Sequence, residues 1–277
     1  MTRREARGTG SIAGAARAVM LTADPHAKVM ASRAAARAWR SGRLAPLFDV
    51  AMPDRPARPD RPELLPPNRM PKRGKAGSGR ARIALLHALA HIEFVAIDLA
   101  WDLIGRFGGD MPRAFIDDWV RIAAEESMHF ALVERRLRAL GSHYGALPAH
   151  DGLWEAAAAT AQDLMGRLAV VPQVLEARGL DVTPETIRRL EAAGDMRSAA
   201  ILARIYSDEI GHVAAGNRWF RALCDAAGTD SATAFHQVVS RYFRGGVKPP
   251  FNDSARESAG LTRDFYMPIA AAPSQPA

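Results

Sequence analysis

Residues 205–220, IYSDEIGHVAAGNRWF, contain the short sequence DEIGH at residues 208–212. Because they are three residues apart, Glu209 and His212 would lie on one face of a helix, about one turn apart. The same spacing recurs in EESMH, residues 125–129, where Glu126 precedes His129. One Glu-x-x-His pair is weak evidence for a metal site, because such pairs also arise by chance. Two pairs on two helices supply half of the protein segments that form a carboxylate-bridged dinuclear site.

The pattern of apolar residues predicts an all-α protein. The composition is rich in alanine, leucine and arginine and has few β-branched runs, which favours helices over strands. Four long helices are predicted, at about residues 82–107, 112–141, 153–178 and 196–227. Pro172 lies inside the third and predicts a kink or a break there. A short helix from residue 183 and another at 231–243 complete the prediction, which favours a four-helix bundle.

A dinuclear site needs one further glutamate from each of the other two long helices. The first helix contains a single glutamate, Glu93, on an otherwise apolar face, where a lone carboxylate is costly unless it is paired or binds a metal. The third helix offers Glu155 at its start and Glu176 near its end. Glu93 precedes Glu126 by 33 residues, and Glu176 precedes Glu209 by 33 residues. The chain therefore divides into two similar helix hairpins, and the 50 residues from Glu126 to Glu176 provide a long crossover between them.

The residue types indicate which metal the site would bind. Four carboxylates and two imidazoles form a hard, oxygen-rich set that suits two iron ions, with manganese as the alternative. Structural zinc sites use closed sets of cysteine or histidine, which this chain lacks. We expect Glu126 and Glu209 to bridge the two ions and Glu93 and Glu176 to bind one ion each. Positions left open on the metals would accept water, dioxygen or substrate.

Three neighbouring residues are candidates for supporting roles. Asp208 is expected to accept a hydrogen bond from the distal nitrogen of His129, and Glu125 from that of His212, which would orient both imidazoles. For Glu125 the alternative is a solvated position on the helix surface. Tyr206 lies one turn before Glu209 and is a candidate gating or redox-active residue, with packing in the core as the alternative.

The charge is distributed unevenly along the 277 residues. Residues 1–80 carry 17 Lys and Arg against 6 Asp and Glu, whereas the remainder of the chain is slightly acidic. Eight prolines between residues 45 and 80 exclude a regular helix there and predict an extended segment, either wrapped on the main domain or free. The basic arm would attract an anionic partner such as RNA; the alternative is a solvated, loosely ordered arm. The predicted units are this arm (1–80), the bundle (81–245) and an irregular C-terminal tail (246–277).

Other features concern the compartment and the assembly. The single cysteine, Cys224, excludes an internal disulfide and fits a reducing environment. The basic N-terminus has only short, interrupted apolar stretches, so we expect no signal peptide. No run of about 18 apolar residues is evident, so we expect no membrane-spanning helix and a cytoplasmic protein. Exposed helix faces are compatible with a homodimer.

Several stretches together resemble the DUF455 family of ferritin-like proteins. They are the region around Glu93, the motifs EESMH and DEIGHVAAGNRWF, and the sequences VLEARGLDVTP, TADPHAK, LGSHYGALPAHDGLW and KPPFN. The resemblance covers nearly the whole chain and every predicted ligand position is present. It implies membership of the ferritin-like di-iron carboxylate superfamily, with a dinuclear metal site in a helical bundle. Some members are labelled by analogy with a tRNA-modifying di-iron hydroxylase, which does not establish a substrate.

We therefore expect a non-haem di-iron oxidoreductase of the hydroxylase type, which activates dioxygen to oxidise a substrate. A tRNA substrate is suggested only by the analogy within the family. One alternative is a ferroxidase or another iron-handling protein. A further alternative is a structural or RNA-binding module in which the metal site only stabilises the fold. The basic arm would serve that role, although it lacks the interleaved aromatic residues on which bases stack.

Overall fold

A computed structural model describes residues 10–70, 78–244 and 246–271 of the chain. The all-α prediction is confirmed, since helices dominate the described residues. They are α1 (Ile12–Met20), α2 (Pro25–Arg40), α3 (Gly79–Phe107), α4 (Arg113–Ala139), α5 (Gly152–Ala159), α6 (Leu164–Val170), α7 (Ala177–Ala192), α8 (Met196–Ala227), α9 (Ser231–Tyr242), α10 (Asp253–Ser258) and α11 (Arg263–Tyr266). A π-helical segment (Val171–Glu176) joins α6 to α7, and 3-10 turns cover Pro67–Arg69 and Gly108–Asp110. Two short parallel strands, β1 (Gly10–Ser11) and β2 (Leu44–Ala45), pair near the N-terminus.

The long helices pack as two pairs. Helix α3 lies along α4, and α7 lies along α8. The pairs meet through α4 and α8, while α6 and the π segment also contact α8. One contiguous apolar core runs through all these helices and includes residues of α1 and α2. The glutamate and histidine positions identified from sequence are therefore on helices that face one another.

The third predicted helix differs from the expectation. The break falls between α5 and α6, at residues 160–163, and Pro172 does not interrupt the helix. Instead, the chain widens into the π segment at Pro172, whose missing N–H cannot bond to the carbonyl of Leu168 one turn before. The side-chain amide of Gln173 donates to that carbonyl at 3.1 Å. The helix then continues through Gly179 to Ala192, so the predicted separate helix from residue 183 is part of α7.

A buried arginine ties the crossover to α3. The guanidinium of Arg167, on α6, donates to Asp102 of α3 at 2.6 Å. It also donates to the carbonyl of Ala157 at 2.6 Å and to the hydroxyl of Thr160 at 3.0 Å, so the end of α5 is held as well. Because the arginine and the aspartate are both fully buried, removing Asp102 would leave the charge of Arg167 without a charged partner, whereas Asp102 also pairs with Arg106 at 2.7 Å. This cluster ties α6 and the end of α5 to α3.

The N-terminal region packs on the main helices in its described part. Helix α1 contacts α3, and α2 contacts α4. Asp24 caps the first turn of α2 by accepting from the N–H of Ala27 at 2.7 Å. Of the two predicted arrangements, the described part of the Pro-rich segment is wrapped on the domain, since Arg58 pairs with buried Asp98 of α3, the same carboxylate with which Lys28 of α2 pairs. Residues 1–9 and 71–77 of the predicted arm lie outside the described residues.

The C-terminal region is more ordered than the predicted irregular tail. It contains α10 and α11, and both are anchored to the core. Arg256 is buried and forms a bidentate pair with Asp181 of α7, with distances of 2.8 and 2.6 Å. The side-chain amide of Asn252 donates to the carbonyl of Leu180 at 3.1 Å and to the hydroxyl of Tyr206 at 3.0 Å. Residues 272–277 lie outside the described residues.

Helix α3 bears on the membrane prediction. With the following turn to Asp110 it is long and apolar enough to cross a membrane, with a mean hydropathy of 1.7, which differs from the expectation from sequence. However, 67% of the apolar window is buried within the protein. Core helices of soluble proteins meet the same criterion, so one such helix is weak evidence for a membrane span.

Candidate metal centre

The six predicted ligands come together inside the protein. They are Glu93 on α3, Glu126 and His129 on α4, Glu176 at the end of the π segment, and Glu209 and His212 on α8. They form two overlapping groups whose potential ligand atoms lie within 4.8 Å of one another. One group is Glu93, Glu126, His129 and Glu209, and the other is Glu176, Glu209 and His212. The arrangement offers two neighbouring positions for metal ions.

Two glutamates lie between the imidazoles. One oxygen of Glu126 is 3.0 Å from Nδ1 of His212, and its other oxygen is 3.4 Å from Nδ1 of His129. An oxygen of Glu209 is 3.4 Å from Nδ1 of His212 and 3.9 Å from Nδ1 of His129. Glu93 lies on the His129 side, with an oxygen 3.4 Å from Nδ1. Glu126 and Glu209 therefore occupy the positions that bridging carboxylates would need.

The histidine nitrogens that face away from the cluster are held by carboxylates. Nε2 of His129 lies 3.0 Å from Asp208, and Nε2 of His212 lies 2.9 Å from Glu125. These are the two contacts expected from sequence, each between α4 and α8. Since an ionised carboxylate only accepts hydrogen bonds, Nε2 of each ring carries the hydrogen. Each Nδ1 is then the nitrogen available to bind a metal.

Four buried polar atoms of the cluster make no hydrogen bond within the described part of the chain. They are Nδ1 of His129, Nδ1 of His212, one oxygen of Glu126 and one oxygen of Glu176. Each ring nitrogen lies 3.0–3.9 Å from carboxylate oxygens of the cluster without forming a hydrogen bond to them. Buried polar groups normally have partners, and a group of unpartnered atoms facing one space calls for a bound ion. This donor set fits divalent metal ions.

The electrostatics of the cluster follow from burial and crowding. Burial raises the pKa of Glu93 and of Glu176 well above the usual range, and neighbouring carboxylates raise both further. For His129, burial lowers the pKa, but Glu126 and Glu93 outweigh it and raise the pKa to about 11. Burial also opposes the charge of His212, whose pKa is nevertheless raised well above the usual range by surrounding carboxylates. Without a metal, protons balance the crowded negative charge, so metal binding would release protons.

Two surface arginines also contact this arrangement, and sequence reasoning missed them. Arg121 donates to Glu125 at 2.6 Å, and Arg204 donates to Asp208 at 2.8 Å. Each arginine precedes its carboxylate by four residues on the same helix, a spacing that brings side chains together. That spacing was the available signal. The arginines restrain the carboxylates that orient the imidazoles.

Tyr206 does not line the cluster, since its half-buried hydroxyl contacts Asn252 and joins α8 to the C-terminal region. This contact gives the residue a structural partner and does not test the gating prediction. Glu155, the other glutamate considered on the third helix, is exposed on α5 and lies outside both ligand groups.

The sequence of the chain matches a known protein family. The family described as "Protein of unknown function (DUF455)" matches residues 21–267, which include all six clustered side chains. The chain belongs to the DUF455 family. A protein of Haemophilus influenzae (strain ATCC 51907 / DSM 11121 / KW20 / Rd), described as an uncharacterized protein, is 44% identical over 211 residues. The alignment covers 74% of this DUF455 chain and 73% of that relative. No solved structure matches.

Proposed function

We propose that this DUF455 protein is a ferritin-like four-helix protein that binds two iron ions and uses them as an oxygen-activating oxidoreductase of the hydroxylase type. Glu126 and Glu209 would bridge the ions. Glu93 and His129 would complete one metal position, and Glu176 with His212 would complete the other. Manganese is the alternative metal for the same ligands.

The observation that carries the proposal is the set of unpartnered donor atoms. The sequence repeat supports the ferritin-like arrangement, since each hairpin contributes a glutamate from its first arm and Glu-x-x-His from its second. In the structure, four of these ligands have a buried atom that faces the shared space without a hydrogen bond from any described residue. A cluster that only stabilised the fold would be expected to satisfy those atoms internally.

Iron in such a site supplies the redox chemistry needed to activate dioxygen. Hydroxylation places one oxygen atom of dioxygen in a C–H bond and releases the other as water. It therefore consumes two electrons and two protons from an external reductant, such as a reduced electron-transfer protein. The residues of this chain hold the ions, while Asp208 and Glu125 keep the imidazoles oriented through their Nε2 hydrogens.

The test is the metal content and optical spectrum of protein isolated from iron-supplied cells, before and after reduction and exposure to air. We expect about two irons per chain, with oxygen consumed on reoxidation of the reduced protein. Glu126→Ala and His129→Ala should each lose most of the iron, because each removes a ligand from the shared space. Glu155→Ala is the matched control, since that glutamate is exposed and outside the cluster.

Two outcomes would count against the proposal. Full iron content in both ligand variants would refute the ligand assignment. Wild-type protein that holds only zinc, or no metal, would refute the redox assignment. If the protein oxidises added ferrous iron and releases it in an amount proportional to the iron added, the result would instead indicate a ferroxidase.

A further inference from the structure

A cavity of about 310 Å³ opens from the surface onto the candidate metal centre. It lies between α3 and α7, and α8 forms part of its wall. The side chains of Glu93, Glu126, Glu176 and Glu209 line its inner part. A molecule bound in the cavity would therefore lie beside the proposed metal ions.

The rest of the wall is mainly apolar. Helix α3 contributes Leu89, Ile92 and Ala96, and the facing helices contribute Val182, Leu202 and Ile205. Ile92 and Val182 are 42% and 38% exposed, which places them where the cavity meets solvent. Apolar walls with few polar groups are typical of small-molecule sites.

In the part of the chain that the structure describes, the cavity wall has one lysine or arginine, Arg178, against four glutamates. The guanidinium of Arg178 donates to the carbonyls of Lys248 and Pro250, at 2.8 and 3.0 Å, and lies 3.5 Å from the carboxylate of Asp181. A nucleotide phosphate brought into this cavity would lose water and would compete with these partners for Arg178, which is unfavourable. The described lining therefore favours an uncharged occupant over RNA.

The volume limits the size of the occupant. Engineered apolar cavities of about 150 Å³ bind benzene. A cavity of about 310 Å³ has roughly twice that space, which suits two fused rings or a chain of about ten carbon atoms. Larger molecules would extend past Ile92 and Val182 into solvent.

We propose that this cavity binds an uncharged, apolar organic substrate of about ten carbon atoms and holds it beside the metal centre. That the bound molecule is a substrate rests on the proposed function, whereas the binding of an apolar molecule rests on the cavity alone. These two parts can be tested separately in the same preparations.

The probe is naphthalene, followed by its own fluorescence in titrations of the full-length protein as isolated. We expect saturable binding of one molecule per chain. Ala88→Trp should weaken this binding by about tenfold or more, because Ala88 lines the cavity and an indole would occupy its space. The matched control is Ala203→Trp on α8, at an exposed position away from the cavity, which should leave binding unchanged.

A second pair of variants separates an apolar ligand from RNA. Ile92→Lys places a cation at the opening and should weaken naphthalene binding several-fold, whereas Met30→Lys makes the same kind of change at an exposed residue of α2 that does not line the cavity. For RNA the expected order is reversed, because an added cation strengthens binding to phosphates. If single-stranded RNA binds more tightly to Ile92→Lys than to Met30→Lys and competes with naphthalene, the proposed occupant is wrong.

Iron content is measured on each preparation, so the two proposals can fail independently. Protein with two irons that binds no naphthalene, or whose Ala88→Trp variant binds it as well as wild type, would overturn the cavity proposal alone. If the isolated protein contains no metal and still binds naphthalene at this site, the proposed function is refuted. The cavity would then bind an apolar molecule that is not a substrate of a metal centre. Loss of naphthalene binding in Ala88→Trp at unchanged iron content supports the proposal.

Discussion

The close approach of α8 to the π segment gives the sharpest structural prediction. Gly216 on α8 is buried against Pro172. A Cβ atom at residue 216 would lie 2.4 Å from Cγ and 2.5 Å from Cβ of that proline. Carbon atoms normally approach to about 3.5–4.0 Å. Because the proline ring cannot rotate away, Gly216→Ala requires α8 or the π segment to move by roughly 1 Å.

The expected magnitude follows from two opposing effects. Replacing glycine by alanine inside a helix stabilises the protein by about 0.5–1 kcal/mol when the new methyl group has space. Forcing a methyl group into a closely packed contact costs about 1–3 kcal/mol. Gly211 on the same helix has space, since a Cβ atom there would lie 3.8 Å from its closest neighbour outside the α8 backbone, Nη1 of Arg121. Gly211→Ala should therefore stabilise the protein. The free energy of unfolding of the Gly216→Ala variant should be about 1–3 kcal/mol lower than that of the Gly211→Ala variant.

The assay is urea unfolding followed by far-ultraviolet circular dichroism, with a chelator present so that metal binding does not contribute. Both variants receive the same gain in helix propensity, so the difference in their free energies of unfolding isolates the contact with Pro172. Equal stability of the two variants would refute the close contact. Because Glu176 ends the π segment, Gly216→Ala should also lower metal occupancy, whereas Gly211→Ala should not.

Three further predictions concern other contacts. Asp208→Asn should weaken metal binding by about 10–100-fold in a chelator competition, because His129 loses its charged partner; unchanged affinity would contradict this. Burial lowers the pKa of His87 from 6.5 to about 4. As the pH falls from 6.5 to about 4, the unfolded chain takes up a proton at this residue before the folded protein does, so the free energy of unfolding decreases. His87→Gln should remove about 2 kcal/mol of this loss between those pH values in urea unfolding, and an unchanged pH profile would contradict the assignment. Asp102→Ala should cost about 3–5 kcal/mol, because Arg167 stays buried without its charged partner, whereas exposed Glu185→Ala, which also removes the partner of an arginine, should change stability far less.

The sequence predicted the cluster well because its signal is local and repeated. Helical spacing alone places Glu126 with His129 and Glu209 with His212, whatever the surrounding fold. Glu93 is the only glutamate of the first predicted helix, and the equal intervals of 33 residues then favour Glu176 over Glu155. The structure brings these six side chains together, and their role as metal ligands stays a prediction until the metal content is measured.

The sequence was less informative where neighbouring segments decide the outcome. Pro172 signals a kink or a helix break, but the amide of Gln173 and the packing against Gly216 allow a π segment. The sequence left open whether the Pro-rich segment is wrapped on the main domain or free, and its described part is held by Arg58, which pairs with buried Asp98. The helical order of the C-terminal region likewise depends on the pair between Arg256 and Asp181, which are far apart in sequence.

The sequence by itself determined the helical class and the six candidate ligands, because helix periodicity and ligand spacing are set within a few residues of the chain. Only the tertiary structure decided that four of these ligands carry unpartnered atoms facing one space, and that an apolar cavity leads to them. Both properties depend on distances between α3, α4, α7 and α8. Those distances follow from the burial of many side chains at once, which no single stretch of sequence specifies.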